Sequence, residues 1–210
     1  MQDQTRRLEE LFGRLRGSDE AALAELFETW RGRLLQIVKT RLDQRLVGRL
    51  DPADVLQDAY LDLAKKLPRF AAEPSGMSPF VWIRLVVTER VLVTHRKHLQ
   101  ANVRDARREV SAWSGPSGTA SVVLADRLIA QVSSVSSRVV RAEMSTAVLE
   151  VISSLEEIDR EIIMMRAFEG LLNSEAAEVL GLSENGASSR FVRAMTKLRR
   201  ELAAIPGLME

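Results

Sequence analysis

The chain has 210 residues, a net charge of +1 and no cysteine. The lack of cysteine excludes disulfides, thiolate metal sites and a thiol nucleophile, and the near-neutral charge argues against a general nucleic-acid coat. Few aromatic residues and many Ala, Leu, Arg and Glu favour helices over sheets. The first residues lack the apolar core of a signal peptide, and no apolar run approaches a membrane span. We therefore expect an all-α cytoplasmic protein with no membrane insertion.

The first part of the chain predicts an all-helical N-terminal domain over residues 1–108. A short amphipathic helix is expected over residues 5–16. The next runs from Glu20 to about Arg45, because its apolar residues keep a helical period.

Two prolines and a loop organise the rest of that domain. Asp51–Pro52 supplies an N-cap and a first helical residue for a third helix, which Pro68 is expected to end. Residues 69–79 are predicted to be a loop by composition. A fourth helix is predicted over 78–100.

Residues 109–138 change in character, because Ser, Gly and Thr become frequent around an apolar island at 122–130. We interpret them as a mostly extended linker, with a helical turn or two in the middle. A second small helical domain is predicted over 139–210. Its first two helices are expected at Ala142–Leu155 and Asp159–Glu169.

The third helix carries four aspartates along one side, at offsets of three, four and four residues: Asp51, Asp54, Asp58 and Asp62, here called the acidic stripe, with Gln57 beside it. An ordinary solvated helix face is the alternative explanation. Like charges at these spacings repel one another, so a basic or amide-rich partner surface explains the stripe better.

The fourth helix changes from apolar to basic along its length. Phe80 and Trp82 lie near its start, and His95 to His98 near its end. The two histidines flank Arg96 and Lys97 with no carboxylate nearby, which excludes a metal site. Basic residues suit phosphates, and aromatic groups beside a loop suit unstacked bases. For Phe80 and Trp82, however, core packing is the better explanation.

The segment from Asn173 to Leu198 predicts a helix-turn-helix. Asn173 or Ser174 would cap its first helix, Gly181 would form the turn and Ser183 would cap the second helix. The second helix has a predicted buried stripe of Ala187, Phe191, Ala194 and Leu198. The opposite face carries Asn185, Ser188, Ser189, Arg193 and Lys197, with Arg190 on the flank. A bundle whose last helix merely has a solvated basic face is the alternative.

Taken in order, the acidic helix DPADVLQDAY, the helix with Trp and a basic end, the Ser/Gly linker and LEEIDREIIMMRAFEGLLNSEAAEVLGLSENGASSRFVRAMTKLRREL resemble a bacterial RNA polymerase sigma factor. The resemblance is to the small two-domain extracytoplasmic-function group of the sigma-70 family. It covers nearly the whole chain except the linker.

The resemblance implies three binding surfaces and no cofactor or metal. The acidic helix would dock on the clamp helices of the largest polymerase subunit through Asp51, Asp54, Gln57 and Asp58. The fourth helix and the 69–79 loop would recognise and open the minus-ten element, with contacts from Trp82, Arg84, Arg90, Arg96 and Lys97. The linker would thread toward the active-site channel of the polymerase.

The helix-turn-helix would bind the minus-thirty-five element. The residues nearest base edges would be Glu184, Asn185, Ser188 and Ser189. Those near phosphates would be Arg190, Arg193 and Lys197.

The chain departs from the family pattern in three places. Glu89 stands where the family often has Asn or Gln, and Val93 stands where it often has Asp. An acid facing DNA would be repulsive, so either Glu89 points away from DNA or the minus-ten preference differs. The 69–79 loop is longer than usual. Ser188 replaces a frequent Lys or Arg.

Two other functions remain as alternatives. A stand-alone transcriptional regulator that dimerises on a palindrome would share the helix-turn-helix but has no need for the acidic helix. An enzyme would need a convergent nucleophile–base or metal cluster, which the pattern does not offer. The expected partners are core RNA polymerase and promoter DNA. An anti-sigma factor is a further partner, because members of this group are often held inactive by one.

Overall fold

The computed structural model describes residues 2–72, 76–103, 121, 123–125, 127–128 and 138–205. Every regular element within those residues is helical, which confirms the predicted all-α class. The chain divides into two compact units, Met1–Leu42 with Leu46–Asp105, and Asp43–Arg45 with Ala106–Glu210. None of the helices described is both long and apolar enough to cross a bilayer.

Among the described residues, five helices precede the change in composition. Their bounds are α1 Gln2–Arg16, α2 Glu20–Arg41, α3 Gln44–Val47, α4 Pro52–Ala72 and α5 Pro79–Val103. Helix α2 packs against α1, α4 and α5. The apolar residues whose spacing predicts this helix are all buried: Leu23, Leu26, Phe27, Trp30, Leu34, Ile37, Val38 and Leu42. Helix α2 is shorter than the sequence predicts, because Leu42 is extended and the short α3 follows.

Pro68 lies inside α4 instead of ending it, so residues 69–72 are helical and not part of a loop. A proline in a helix interior loses one backbone hydrogen bond and costs roughly 3 kcal/mol. The turn that Pro68 would have removed contains Phe70, whose ring stacks on Trp82 of α5, with centroids 4.2 Å apart and planes 17° apart. This contact between α4 and α5 offsets part of that cost.

The second unit contains α6 Arg138–Ser153, α7 Glu157–Ile163, α8 Asn173–Leu180 and α9 Glu184–Ala203. Between α7 and α8, residues Met164–Phe168 form one turn of π-helix. The Glu169 N–H donates to the Met164 carbonyl at 3.0 Å, which is the five-residue spacing of that helix type. The predicted single α-helix over 159–169 is therefore wrong at both its start and its last turn.

The described residues between 121 and 128 are helical, as the sequence analysis anticipates for the middle of the linker. Val123, Leu124 and Ala125 are buried in the same apolar cluster as Val148 and Ile152 of α6. Burial of these side chains stabilises the second unit. The C-terminal core therefore includes residues that the composition assigns to the tether.

Candidate functional site

The turn between α8 and α9 is built around Gly181, whose backbone is left-handed with φ 64° and ψ 32°. The Leu182 N–H donates to the Ala177 carbonyl at 2.9 Å, and the Gly181 N–H donates to the Glu178 carbonyl at 3.3 Å. These two bonds are the Schellman arrangement that ends many helices. The predicted helix–glycine–helix is confirmed.

The two helix starts differ in how they are capped. Ser183 caps α9 as predicted, because its Oγ accepts from the Gly186 N–H at 3.1 Å. The predicted cap of α8 is wrong, since Asn173 and Ser174 already lie in the helix and Leu172 is the N-cap. There the Glu175 carboxylate accepts from the Leu172 N–H at 2.8 Å.

Asn173 has a different role from capping. Its Nδ2 donates to the Glu184 carbonyl at 2.7 Å. This bond joins the first residue of α8 to the first residue of α9. It therefore helps to fix how the two helices of the helix-turn-helix are placed.

Helix α9 has a buried side and an exposed side, as predicted. Ala187, Ala194 and Leu198 are buried in the apolar cluster, and Phe191 packs against it. The exposed side, here called the recognition face, consists of Glu184, Asn185, Ser188, Ser189, Val192 and Arg193. Val192 was not selected from the sequence, although its spacing of seven residues from Asn185 places it on the same side.

Arg190 is engaged within its own unit. Its Nη1 contacts Asp159 Oδ1 at 2.7 Å and Glu156 Oε2 at 3.1 Å. Hydrogen bonds to Glu156 and then Asp159 raise the pKa of Arg190, because both carboxylates favour the charged guanidinium. These contacts join α9 to the start of α7, which makes Arg190 a positioning residue in this structure.

Lys197 is also engaged within the second unit. Its Nζ donates to the Ser154 carbonyl at 3.1 Å, between α6 and α7. Of the three cations expected near phosphates, Arg193 is exposed on the recognition face, whereas Arg190 and Lys197 are half-buried.

In the first unit, the predicted partner-binding residues Asp51, Asp54, Gln57 and Asp58 are all exposed on α4. Asp51 also caps that helix, because its Oδ1 accepts from the Ala53 N–H at 2.8 Å. A groove of about 410 Å³ lies between α2 and α4, and Gln57 is the one of these residues that lines it. It is lined by Ala24, Phe27, Glu28, Arg31, Ala53, Leu56, Gln57 and Tyr60.

Asp62, the last member of the acidic stripe, differs from the other three. Its Oδ2 accepts from Arg90 Nε of α5 at 2.7 Å, and the two side chains are partly buried. One turn further on, Lys66 of α4 pairs with Glu89 of α5. Asp62 and Arg90 thus hold α4 and α5 together, and the Glu89 carboxylate is paired with the Lys66 ammonium group.

The remaining residues expected to contact the minus-ten element fall into two groups. Arg96 and Lys97 are exposed near the end of α5. Trp82 is 9% exposed and Arg84 is 2% exposed. A surface contact by Arg84 is therefore not made from this conformation, and the core-packing alternative holds for Trp82.

Phe80 is likewise part of the core. Its ring meets Trp30 of α2 edge-on, with centroids 5.3 Å apart. The Arg33 guanidinium lies over the same ring, 3.8 Å from its centroid.

The C-terminal geometry agrees with comparison to known proteins. The family model described as "Sigma-70, region 4" matches residues 145–198. Among solved structures, the chain is similar to CnrH in complex with the cytosolic domain of CnrY, with 19% identity, a TM-score of 0.48, and coverage of 92% of this chain and 96% of that one.

It is also similar to the sigma factor RpoE in complex with the anti-sigma factor NepR from Bartonella quintana. There the identity is 14%, the TM-score is 0.37, and coverage is 97% of this chain and 99% of that one. No curated protein matches the chain. Residues 145–198 thus match the sigma-70 region 4 family, and the predicted resemblance to sigma-70 factors is confirmed for that segment.

Proposed function

We propose that the chain is a sigma factor of the extracytoplasmic-function group, which binds core RNA polymerase and directs promoter-specific initiation of transcription. The observation that carries the proposal is the sigma-70 region 4 match over a helix-turn-helix with an exposed, polar recognition face. Such a factor would act in the cytoplasm with the polymerase, and it would have no catalytic residue of its own.

The recognition face is suited to the major groove of the minus-thirty-five element. Glu184, Asn185, Ser188 and Ser189 offer amide, hydroxyl and carboxylate groups to base edges. Arg193 would supply a phosphate contact. Lys197 would reach a phosphate only after its hydrogen bond to the Ser154 carbonyl breaks. With so little positive charge on it, this face would rely on polymerase to hold it on DNA.

Arg190 enters the proposal in a changed role. The contacts of its guanidinium with Glu156 and Asp159 support positioning of α9 in place of the direct phosphate contact that the sequence suggests.

The acidic helix would dock on core polymerase. Asp54 and Asp58 are exposed on α4, and Gln57 of the same helix lines a groove with apolar walls from Phe27, Leu56 and Tyr60. A basic amphipathic helix of the clamp type would insert an apolar side chain into the groove and direct its cations to the two carboxylates. Charge complementarity of this kind mainly speeds association and sets specificity. Gln57, on the groove wall, would add a hydrogen bond.

The end of α5 would contact the minus-ten region. Arg96 and Lys97 are exposed there and would bind backbone phosphates. Trp82 would support the strand-opening surface from beneath, through its stack on Phe70. Arg90 would contribute a direct contact only after it leaves Asp62.

Run-off transcription on genomic DNA with core polymerase and the full chain tests the proposal. We expect discrete start sites that share two upstream elements. The double variant D54A/D58A should lose polymerase binding and transcripts together. The matched control E9A/E10A removes two exposed carboxylates from α1 and should keep both.

Two outcomes would contradict the proposal. A chain that binds operator DNA tightly on its own and ignores core polymerase is a stand-alone regulator. Equal loss of polymerase binding in both double variants would show a general effect of charge, with no special role for α4. Co-purification from the native cell tests the further partner, an anti-sigma factor that masks the DNA-binding faces.

A further inference from the structure

Val192 is an apolar residue in the middle of the recognition face. Its side chain is 59% exposed. Single exposed apolar residues are common on protein surfaces, so exposure alone says little. Its place is more informative, because Ala194 on the opposite side of the helix is buried in the core.

Helix stability does not explain a valine at this position. In an exposed helix position Val is a poorer helix former than Ala, Lys or Gln, because its branched side chain loses rotamer freedom. No hydrogen bond or ion pair can be made by its side chain. The hydroxyl of Thr196, one turn further along, donates to the Val192 carbonyl at 2.8 Å. The neighbouring polar side chain is therefore bonded to the backbone of its own helix.

The chemistry along the recognition face changes in order. Asn185 offers an amide, Ser188 and Ser189 offer hydroxyls, and Val192 offers two methyl groups. In the major groove, the apolar feature of a base pair is the C5-methyl group of thymine. Seven residues separate Asn185 from Val192, about 10 Å along the helix axis. Because a recognition helix lies along the groove and is inclined to the DNA axis, this length spans at most about three base pairs at roughly 3.4 Å each.

We infer that Val192 is a specificity-determining residue, which contacts a thymine methyl group two to three base pairs from the pair faced by Asn185. The inference rests on the proposed function, because it needs α9 in the major groove. It adds an A·T requirement to an interface whose other side chains recognise hydrogen-bonding groups.

Replacement of thymine by uracil removes the methyl group alone and therefore tests the inference directly. The probe is a duplex recovered from a random library by the full chain bound to core polymerase. Each thymine in the recovered site is then replaced singly by uracil. For wild type, we expect one replacement to weaken binding about three- to fourfold, the effect of one buried methyl-sized group.

The variant V192A should lose that sensitivity at the same thymine, whereas V192I should keep it. Because Val192 is exposed and Ala is a better helix former, V192A should fold normally. The matched control is L172A, since Leu172 is 62% exposed but lies at the start of α8. It should retain the full uracil effect.

Two results would overturn the inference. The uracil effect could be the same in V192A as in wild type, or the recovered site could lack thymine in the expected place. If V192A keeps the uracil effect but weakens both duplexes equally, Val192 contacts a protein. Failure to bind polymerase, or a library with no sequence enrichment, would instead refute the proposed function.

Discussion

Replacing Gly181 by alanine tests whether backbone conformation at the turn stabilises the helix-turn-helix. Gly181 has φ 64°, and an added Cβ would meet no atom within 4 Å. The substitution therefore introduces backbone strain without a clash. A non-glycine residue in the left-handed region costs roughly 1–2 kcal/mol, and the loss of chain entropy in the unfolded state returns about 0.4–1 kcal/mol. We expect net destabilisation of about 1 kcal/mol, or a Tm lower by about 4–8 °C for a small domain.

The measurement should follow the second unit by itself. Hydrogen exchange of peptides from α8 and α9, recorded in the full chain at increasing urea, does this. The control G32A places the same methyl group in the interior of α2, where it also meets no atom within 4 Å. There alanine should stabilise by about 0.8–1 kcal/mol, with no change in α8 and α9.

The variant G181N should fall between wild type and G181A, because asparagine tolerates the left-handed region better than alanine does. A G181A chain as stable as wild type would refute the reasoning. It would show that the left-handed turn imposes no net cost on a residue with a Cβ.

Three further predictions follow from the ion pairs. R190A and D159N should each destabilise the second unit by about 1 kcal/mol, with the double variant well short of additive in urea denaturation; full additivity would show that the pair does not couple α9 to α7. D62N should free its arginine partner on α5, so that binding of the free chain to single-stranded DNA gains about 0.7 in the magnitude of its salt slope, whereas an unchanged slope would contradict a competition between Asp62 and DNA. Asp19, which caps α2, has a lowered pKa, chiefly because of the hydrogen bond from Arg14 and then those from backbone N–H groups. A carboxylate whose pKa is lower in the folded than in the unfolded state stabilises the fold above the unfolded pKa, about pH 4. That stability is lost as the pH falls through the folded-state pKa. D19N should flatten that loss in acid denaturation, and an unchanged acid limb would argue against the pair.

Features decided by short-range sequence were predicted well. The buried stripe of α9, the left-handed Gly181 and the cap by Ser183 depend on residues a few positions apart. Helical period alone places such residues on one side. The apolar positions of α2 were predicted for the same reason.

Features decided by contacts between distant residues were not predicted. Pro68 predicts a helix end, because the stack of Phe70 on Trp82 of the next helix is not visible in the local sequence. Arg190 is predicted to contact phosphate from the local pattern alone. Its partners Glu156 and Asp159 lie more than thirty positions earlier in the chain, so that pattern does not show them. The charge of Arg84 predicts a surface position, but the packing of α5 buries this residue.

The turn of π-helix at Met164–Phe168 gives the second unit a tolerance to changes in chain length. A π turn contains one residue more than the α turn it replaces. Removal of exposed Ala167 could therefore be absorbed by a return to four-residue spacing, with Met164 and Met165 still buried. The same one-residue deletion inside α8 would instead turn the residues before it by about 100° around the helix relative to Gly181. Chains of unequal length can thus present the same recognition helix, provided that the difference falls within these five residues.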